Sequence, residues 1–192
     1  MARALRADAE RSVRAILEAA ERVLGRDPSA SMEQIAEAAG LTRITVHRRF
    51  ANRQALLDAL AVSAARQLLD AIEEARPDIG PALVAFYRVT GSVLRVKSTW
   101  RFAITHATRR SDAATALWVE IDARSLAMLK RAQGEGLLAA DADLDWARQV
   151  YYALVGQALD RAEADGDEAD RDPDVLSTLV IDTLLHGAGP RG

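Results

Sequence analysis

SMEQIAEAAGLTRITVHRRFANRQALL, residues Ser31 to Leu57, is the stretch whose reading decides the fold. Ser31 with Gln34 three residues on makes a capping box, so a helix is expected to start at Met32. Met32, Ile35, Ala36 and Ala39 line one side of that short helix. Gly40 follows at once, where a left-handed backbone carries no side-chain clash and ends the helix. Thr42 caps again two residues later. In the second helix Val46 and Phe50 face inward beside Leu41, which leaves Arg43, Ile44, Thr45, His47 and Arg48 to face outward. Between Leu41 and Arg53 lie four arginines and a histidine with no acidic residue, so the outer face is suited to a polyanion. Helix, glycine turn, helix is the geometry in which a second helix enters a DNA major groove.

Charge supports this placement. The net charge of −3 divides unevenly: residues 1–60 hold ten arginines against eight acids, and residues 61–192 hold fifteen basic side chains against twenty acids. The positive end is modest, so affinity is expected to rest on a few placed contacts and on pairing two heads. With 49% apolar residues the chain can bury a core, and with no cysteine it has neither a disulfide framework nor a thiolate metal site. The N-terminus lacks the apolar run of a signal peptide and no later run approaches a membrane span, so a cytoplasmic protein without a membrane partner is expected.

Outward from the central stretch, every patterned segment reads as helix. Met1 to Glu10 is polar and reads as a frayed arm, with Arg3 and Arg6 within reach of phosphate. From Arg11, the positions Val13, Ile16, Leu17, Ala20, Val23 and Leu24 recur at helical spacing and make a bracing helix, ended by the loop GRDPSA at Gly25 to Ala30. After Phe50, Asn52 can cap a long helix to about Ala75, whose Leu56, Leu57 and Leu60 close the first core while Leu68, Leu69 and Ile72 enter a second. RPDIGP at Arg76 to Pro81 is a break. Helical patterns resume over Pro81 to Lys97, Thr99 to Arg109, Asp112 to Gln133, Asp145 to Ala164 and Pro173 to His186. No stretch alternates with period two, so the expectation is all-α: a helix-turn-helix domain at 1–57 joined by the long helix to a helical domain at 58–192.

The run AAGLTRITVHRRFANRQALLDAL resembles the DNA-binding segment of the tetracycline-repressor (TetR) family, whose usual pattern is close to A-G-V-S-x-G-T-L-Y-x-H-F-x-x-K-x-x-L. Ala39, Gly40, Thr45, Phe50, Leu56 and Leu57 fall in register, while Leu41, Thr42 and Val46 are conservative replacements. Ile44, His47 and Arg53 depart from the usual glycine, tyrosine and lysine. The resemblance implies a homodimeric repressor that holds a double-stranded operator and releases it when a small-molecule effector binds the second domain. Arg43, Thr45, His47 and Arg48 are then the expected base readers and phosphate grips, and Ile44 can press on a thymine methyl. Ser31, Thr42 and Arg53 stand where helix N-termini point N–H groups at anions.

For the second domain the resemblance implies an effector pocket and a four-helix dimer bundle made from the last two helices of each subunit. Phe86, Trp100, Phe102, His106, Trp118, Tyr151 and Tyr152 are the candidates for the pocket, with Tyr87 beside them, although aromatic residues at helical spacing serve equally as plain core. Trp146, Val150, Leu154, Leu176, Leu179 and Val180 are the candidates for the dimer surface. No cofactor and no catalysis are expected: there is no phosphate-cradling glycine loop and no nucleophile elbow, and the three histidines lack metal-ligand spacing. The alternating Asp141, Asp143 and Asp145 lack the glycine and glutamate of a calcium loop. The alternatives are a ligand-independent DNA-binding factor or activator, and a helical enzyme or adaptor that keeps a helix-turn-helix only as structure.

Overall fold

A computed structural model describes residues 2–106, 111–164 and 172–187, with the side chains of residues 2–7 and of His106 outside the description. Among the described residues the secondary structure is helical throughout: α1 (Ala2–Arg26), α2 (Met32–Ala38), α3 (Arg43–Arg49), α4 (Arg53–Glu74), α5 (Ala82–Thr99), α6 (Arg101–His106), α7 (Asp112–Gly134), α8 (Leu144–Ala164) and α9 (Pro173–His186). The all-α expectation is met.

α1 is longer than the apolar stripe predicts. It starts at Ala2, not Arg11, because residues 2–10 contain good helix formers and no breaker, and because Asp8 pairs with Arg11 while its carbonyl accepts the Ser12 hydroxyl at 2.8 Å. Arg3 and Arg6 as phosphate contacts lie outside the described side chains.

The chain packs as two compact units, Met1–Arg66 with Trp100–Ala116, and Gln67–Thr99 with Leu117–Gly192. The first unit therefore takes in α6 as well as the helix-turn-helix, and the boundary on α4 falls nine residues beyond the expected 57/58 division. Its buried side chains include Ile16, Leu24, Ile35, Val46, Phe50, Leu56 and Leu60. Buried Glu21 of α1 is the polar exception. Its two carboxylate oxygens accept the backbone N–H groups of Phe102 at 2.6 Å and Ala103 at 3.0 Å, two of the donors that the first turn of α6 leaves unpaired within the helix.

In the second unit α9 packs against α5 and α8, with Phe86, Val89, Leu94, Tyr151, Val155, Leu176, Val180 and Ile181 buried. Two arginines hold the break after α4 in place. Arg88 donates to the carbonyls of Ala75, Arg76 and Ile79, and Arg131 donates to those of Pro77 and Gly80. No described helix is long and apolar enough to cross a membrane.

Candidate nucleic-acid interface

Three caps set the geometry of the helix-turn-helix. The Ser31 hydroxyl accepts from Gln34 N–H at 3.2 Å, and the Gln34 side chain accepts from Ser31 N–H at 2.7 Å, which completes the capping box. Gly40 takes the left-handed conformation at φ 66°, and Leu41 N–H returns to the Ala36 carbonyl at 3.0 Å, so the chain turns sharply between α2 and α3. The Thr42 hydroxyl then accepts from Thr45 N–H at 3.2 Å and lies 2.9 Å from the Thr45 hydroxyl. A third cap, Asn52 Oδ1 on Ala55 N–H at 2.9 Å, starts α4.

These caps orient α3. Val46 and Phe50 are buried, whereas Arg43, Ile44, His47 and Arg48 are exposed and Thr45 is half-buried. Ile44 is 79% exposed, so its side chain is open to contact with another molecule. The expected reading face is therefore presented as one surface.

Arg53 is not presented there. Its guanidinium donates to the backbone carbonyls of Pro28 and Ala30, so the charge expected on phosphate braces the loop between α1 and α2. In the same loop Asp27 accepts the Ser29 hydroxyl at 2.6 Å and the Ser29 N–H at 2.9 Å. Those two bonds, with Arg53 nearby, hold the Asp27 carboxyl below its usual range.

Two residues of this surface were missed in the sequence. Arg43 Nε lies 2.8 Å from Oε1 of Glu33, a residue of α2 that the acid-free count from Leu41 leaves out. The Glu33 carboxyl is held below its usual range by its own backbone N–H in the first turn of α2, and then by Arg43, the Ser31 hydroxyl and His47, against some desolvation. Arg49 is half-buried, and its Nε is buried without a hydrogen-bond partner. Arg49 follows Val46 by three residues and so lies beside the inward face that Val46 and Phe50 mark, whereas Arg48 lies on the opposite side of the helix.

Residues 16–60, which hold this constellation, match the family model described as bacterial regulatory proteins, tetR family. Over 177 residues the chain is 36% identical to the HTH-type transcriptional repressor LfrR of Mycolicibacterium smegmatis, with 92% of each chain covered. The chain belongs to the TetR family. It is a DNA-binding transcriptional regulator. Among solved structures it is similar to LfrR from Mycobacterium smegmatis in complex with proflavine, at 31% identity and a TM-score of 0.76 over 95% of this chain and 99% of that one. FadR from Bacillus subtilis in complex with stearoyl-CoA shares the fold, at 17% identity and a TM-score of 0.74 over 91% and 98%.

The second unit of this TetR-family chain carries most of the remaining candidates. Phe86 and Tyr151 are buried with ring centroids 5.5 Å apart, and the Tyr151 hydroxyl lies 3.1 Å from that of buried Thr90. Burial raises the Tyr151 phenol well above its ordinary range, with the Thr90 hydroxyl pulling the other way. Tyr152 is half-buried and donates its hydroxyl to Asp122 at 3.0 Å, with the Ser125 hydroxyl 2.9 Å away, while Arg148 stacks 5.7 Å from its ring and pairs with Asp122 at 3.2 Å. Trp118 is half-buried. Trp100 and Phe102 are buried and belong to the first unit, so the seven candidates do not fall in one unit; the His106 side chain lies outside the described residues. Lys97, missed in the sequence, extends the buried stripe of α5 that runs through Val93 and Leu94. Burial lowers its ammonium pKa, and among the described residues it has no acidic partner.

The dimer candidates divide by exposure. Leu176 and Val180 are buried inside the unit, where α9 meets α5 and α8, and are corrected to core residues. Trp146 is 62% exposed, Leu179 is exposed, and Val150 and Leu154 are half-buried. Exposed Val175 joins Leu179 beside a concavity of ≈ 480 Å³ lined also by Thr178, Asp182 and Thr183.

Proposed function

We propose that the protein is a homodimeric repressor that occupies a palindromic operator and leaves it when a small molecule binds its second unit. The observation that carries this reading is the exposed Arg43, Ile44, His47 and Arg48 standing over buried Val46 and Phe50 on one capped helix. Arg43, Thr45 and His47 read base edges, Arg48 and the N-terminus of α3 at Thr42 grip phosphate, and Ile44 meets a thymine methyl. Ser31 acts through its cap, and Arg53 acts by holding the loop between α1 and α2.

Dimerisation follows from geometry and from surface. A single recognition helix spans few base pairs, whereas two related by a twofold axis read half-sites about 34–36 Å apart or a multiple of it. Trp146, Val175 and Leu179 are the exposed apolar side chains of α8 and α9 that a second copy covers.

The effector half of the reading is supported by the relatives, which were solved with proflavine and with stearoyl-CoA. A compound that binds one arrangement of the protein better than another shifts the population and changes operator affinity by the same differential. Working on DNA places the protein in the cytoplasm, and nothing in the reading calls for catalysis or a cofactor. The test is a thermal-shift screen of small molecules followed by operator titration. The expected result is that at least one compound that stabilises the protein weakens DNA binding, and the reading fails if stabilising compounds leave affinity unchanged. A ligand-independent factor gives that second result while still binding the operator, and an activator is told apart by the direction in which transcription from the operator changes.

A further inference from the structure

We propose that Glu33 is a positioning residue for base readout: it holds Arg43 from its Nε side and leaves the terminal nitrogens as a fork for a guanine in the major groove. The inference rests on the reading of Arg43 as a base-contacting residue.

The geometry sets a carboxylate beside the Nε edge of an arginine. A guanidinium has five N–H donors in a fixed plane, and bidentate recognition of guanine O6 and N7 uses two of them on one edge. Glu33 Oε1 lies 2.8 Å from Arg43 Nε in an ion pair, and the terminal nitrogens of Arg43 donate no hydrogen bond among the described residues. Glu33 comes from α2, which the capping box and Gly40 fix relative to α3, so the carboxylate stays within reach of the long side chain on the neighbouring helix. A side chain biased toward Glu33 before binding has less rotamer freedom left to lose on the DNA than an unpaired one.

Stability does not explain the pair. The Arg43 and Glu33 side chains are 67% and 48% exposed, and ion pairs this open add little to folding. Attraction to DNA does not explain it either, because a carboxylate on a face that approaches phosphates repels them. Glu33 therefore lowers affinity for duplexes in general and sharpens Arg43 for one base. These two effects have opposite signs, which makes them separable by measurement.

The experiment uses the full chain and two duplexes, one enriched by the unsubstituted protein from a random pool of about 30 base pairs, long enough for two half-sites, and one of shuffled sequence. Glu33→Gln, Arg43→Ala and the double variant are compared after circular dichroism confirms that each is folded. Glu33→Gln is expected to lower the preference for guanine at one position in each half-site by about three-fold, less than the loss of a whole bidentate contact and in line with an exposed ion pair. Its affinity for the shuffled duplex is expected to be unchanged or a few-fold higher, since a repelling charge is gone. In the Arg43→Ala background Glu33→Gln is expected to change base preference no further. If Glu33→Gln changes both affinities by one factor, or changes neither, the positioning role is overturned while Arg43 remains a reader. If Arg43→Ala itself leaves the preferred sequence unaltered, the reading of Arg43 fails, and the role of Glu33 fails with it.

Discussion

At the scale of single residues, the buried acids and phenols make the sharpest claims. Glu21 is 7% exposed and accepts two backbone N–H groups at the start of α6. Glu21→Ala leaves those donors without their acceptor, so urea unfolding is expected to show a loss of about 1–3 kcal/mol, with Glu21→Gln in between because its amide keeps one acceptor oxygen. Tyr151 makes a claim about pH. Its pKa is raised in the folded state, so the native protein holds that proton more tightly than the unfolded chain does. The contribution is present below the ordinary tyrosine pKa of about 10 and is lost as pH rises beyond it. Unfolding free energy is therefore expected to fall with pH above about 10, and to fall less steeply in Tyr151→Phe, where the remaining slope combines Tyr152, also raised by burial, with the opposing contribution of Lys97, whose pKa burial lowers. An equal slope in both proteins contradicts the assignment.

At the scale of elements, the helix-turn-helix rests on caps and one turn. Gly40 sits at φ 66°, and a Cβ added there meets no atom within 4 Å, so the cost of Gly40→Ala is one of backbone conformation alone. Urea unfolding is expected to show a destabilisation of about 1 kcal/mol, and Gly40→Asn less, since asparagine tolerates the left-handed region. This is also the scale at which the sequence was most legible. Ser31 with Gln34, Gly40, Thr42 and Asn52 announce helix boundaries through local chemistry, and the structure places each as expected. What stayed hidden depends on residues distant in the chain. Arg53 reads as a free charge but reaches back 25 residues to the Pro28 carbonyl. Glu33 and Arg43 meet only because the turn folds α2 beside α3. Leu176 and Val180 share an apolar helix with Leu179 and Val175, and periodicity does not say which side of an almost wholly apolar face looks inward.

At the scale of the whole molecule, the account needs two copies on one duplex. Trp146 and Leu179 are exposed apolar side chains on α8 and α9, and their cost to a lone chain is offset when a second copy buries them. Trp146→Glu combined with Leu179→Glu is expected to leave a folded chain that sediments as a monomer at micromolar concentration and binds the operator at least about tenfold more weakly, because half-sites are then held one at a time. A dimer that survives both substitutions places the interface elsewhere.

The most direct test of the central claim is selection of DNA from a random pool by the full chain, with the Arg43→Ala, Arg48→Ala double variant carried in parallel. The account predicts that the unsubstituted protein enriches an inverted repeat whose half-site centres are about 10 base pairs, or a multiple of that, apart, and that the folded double variant does not. Enrichment of the same repeat by both proteins, or of no repeat by either, contradicts it.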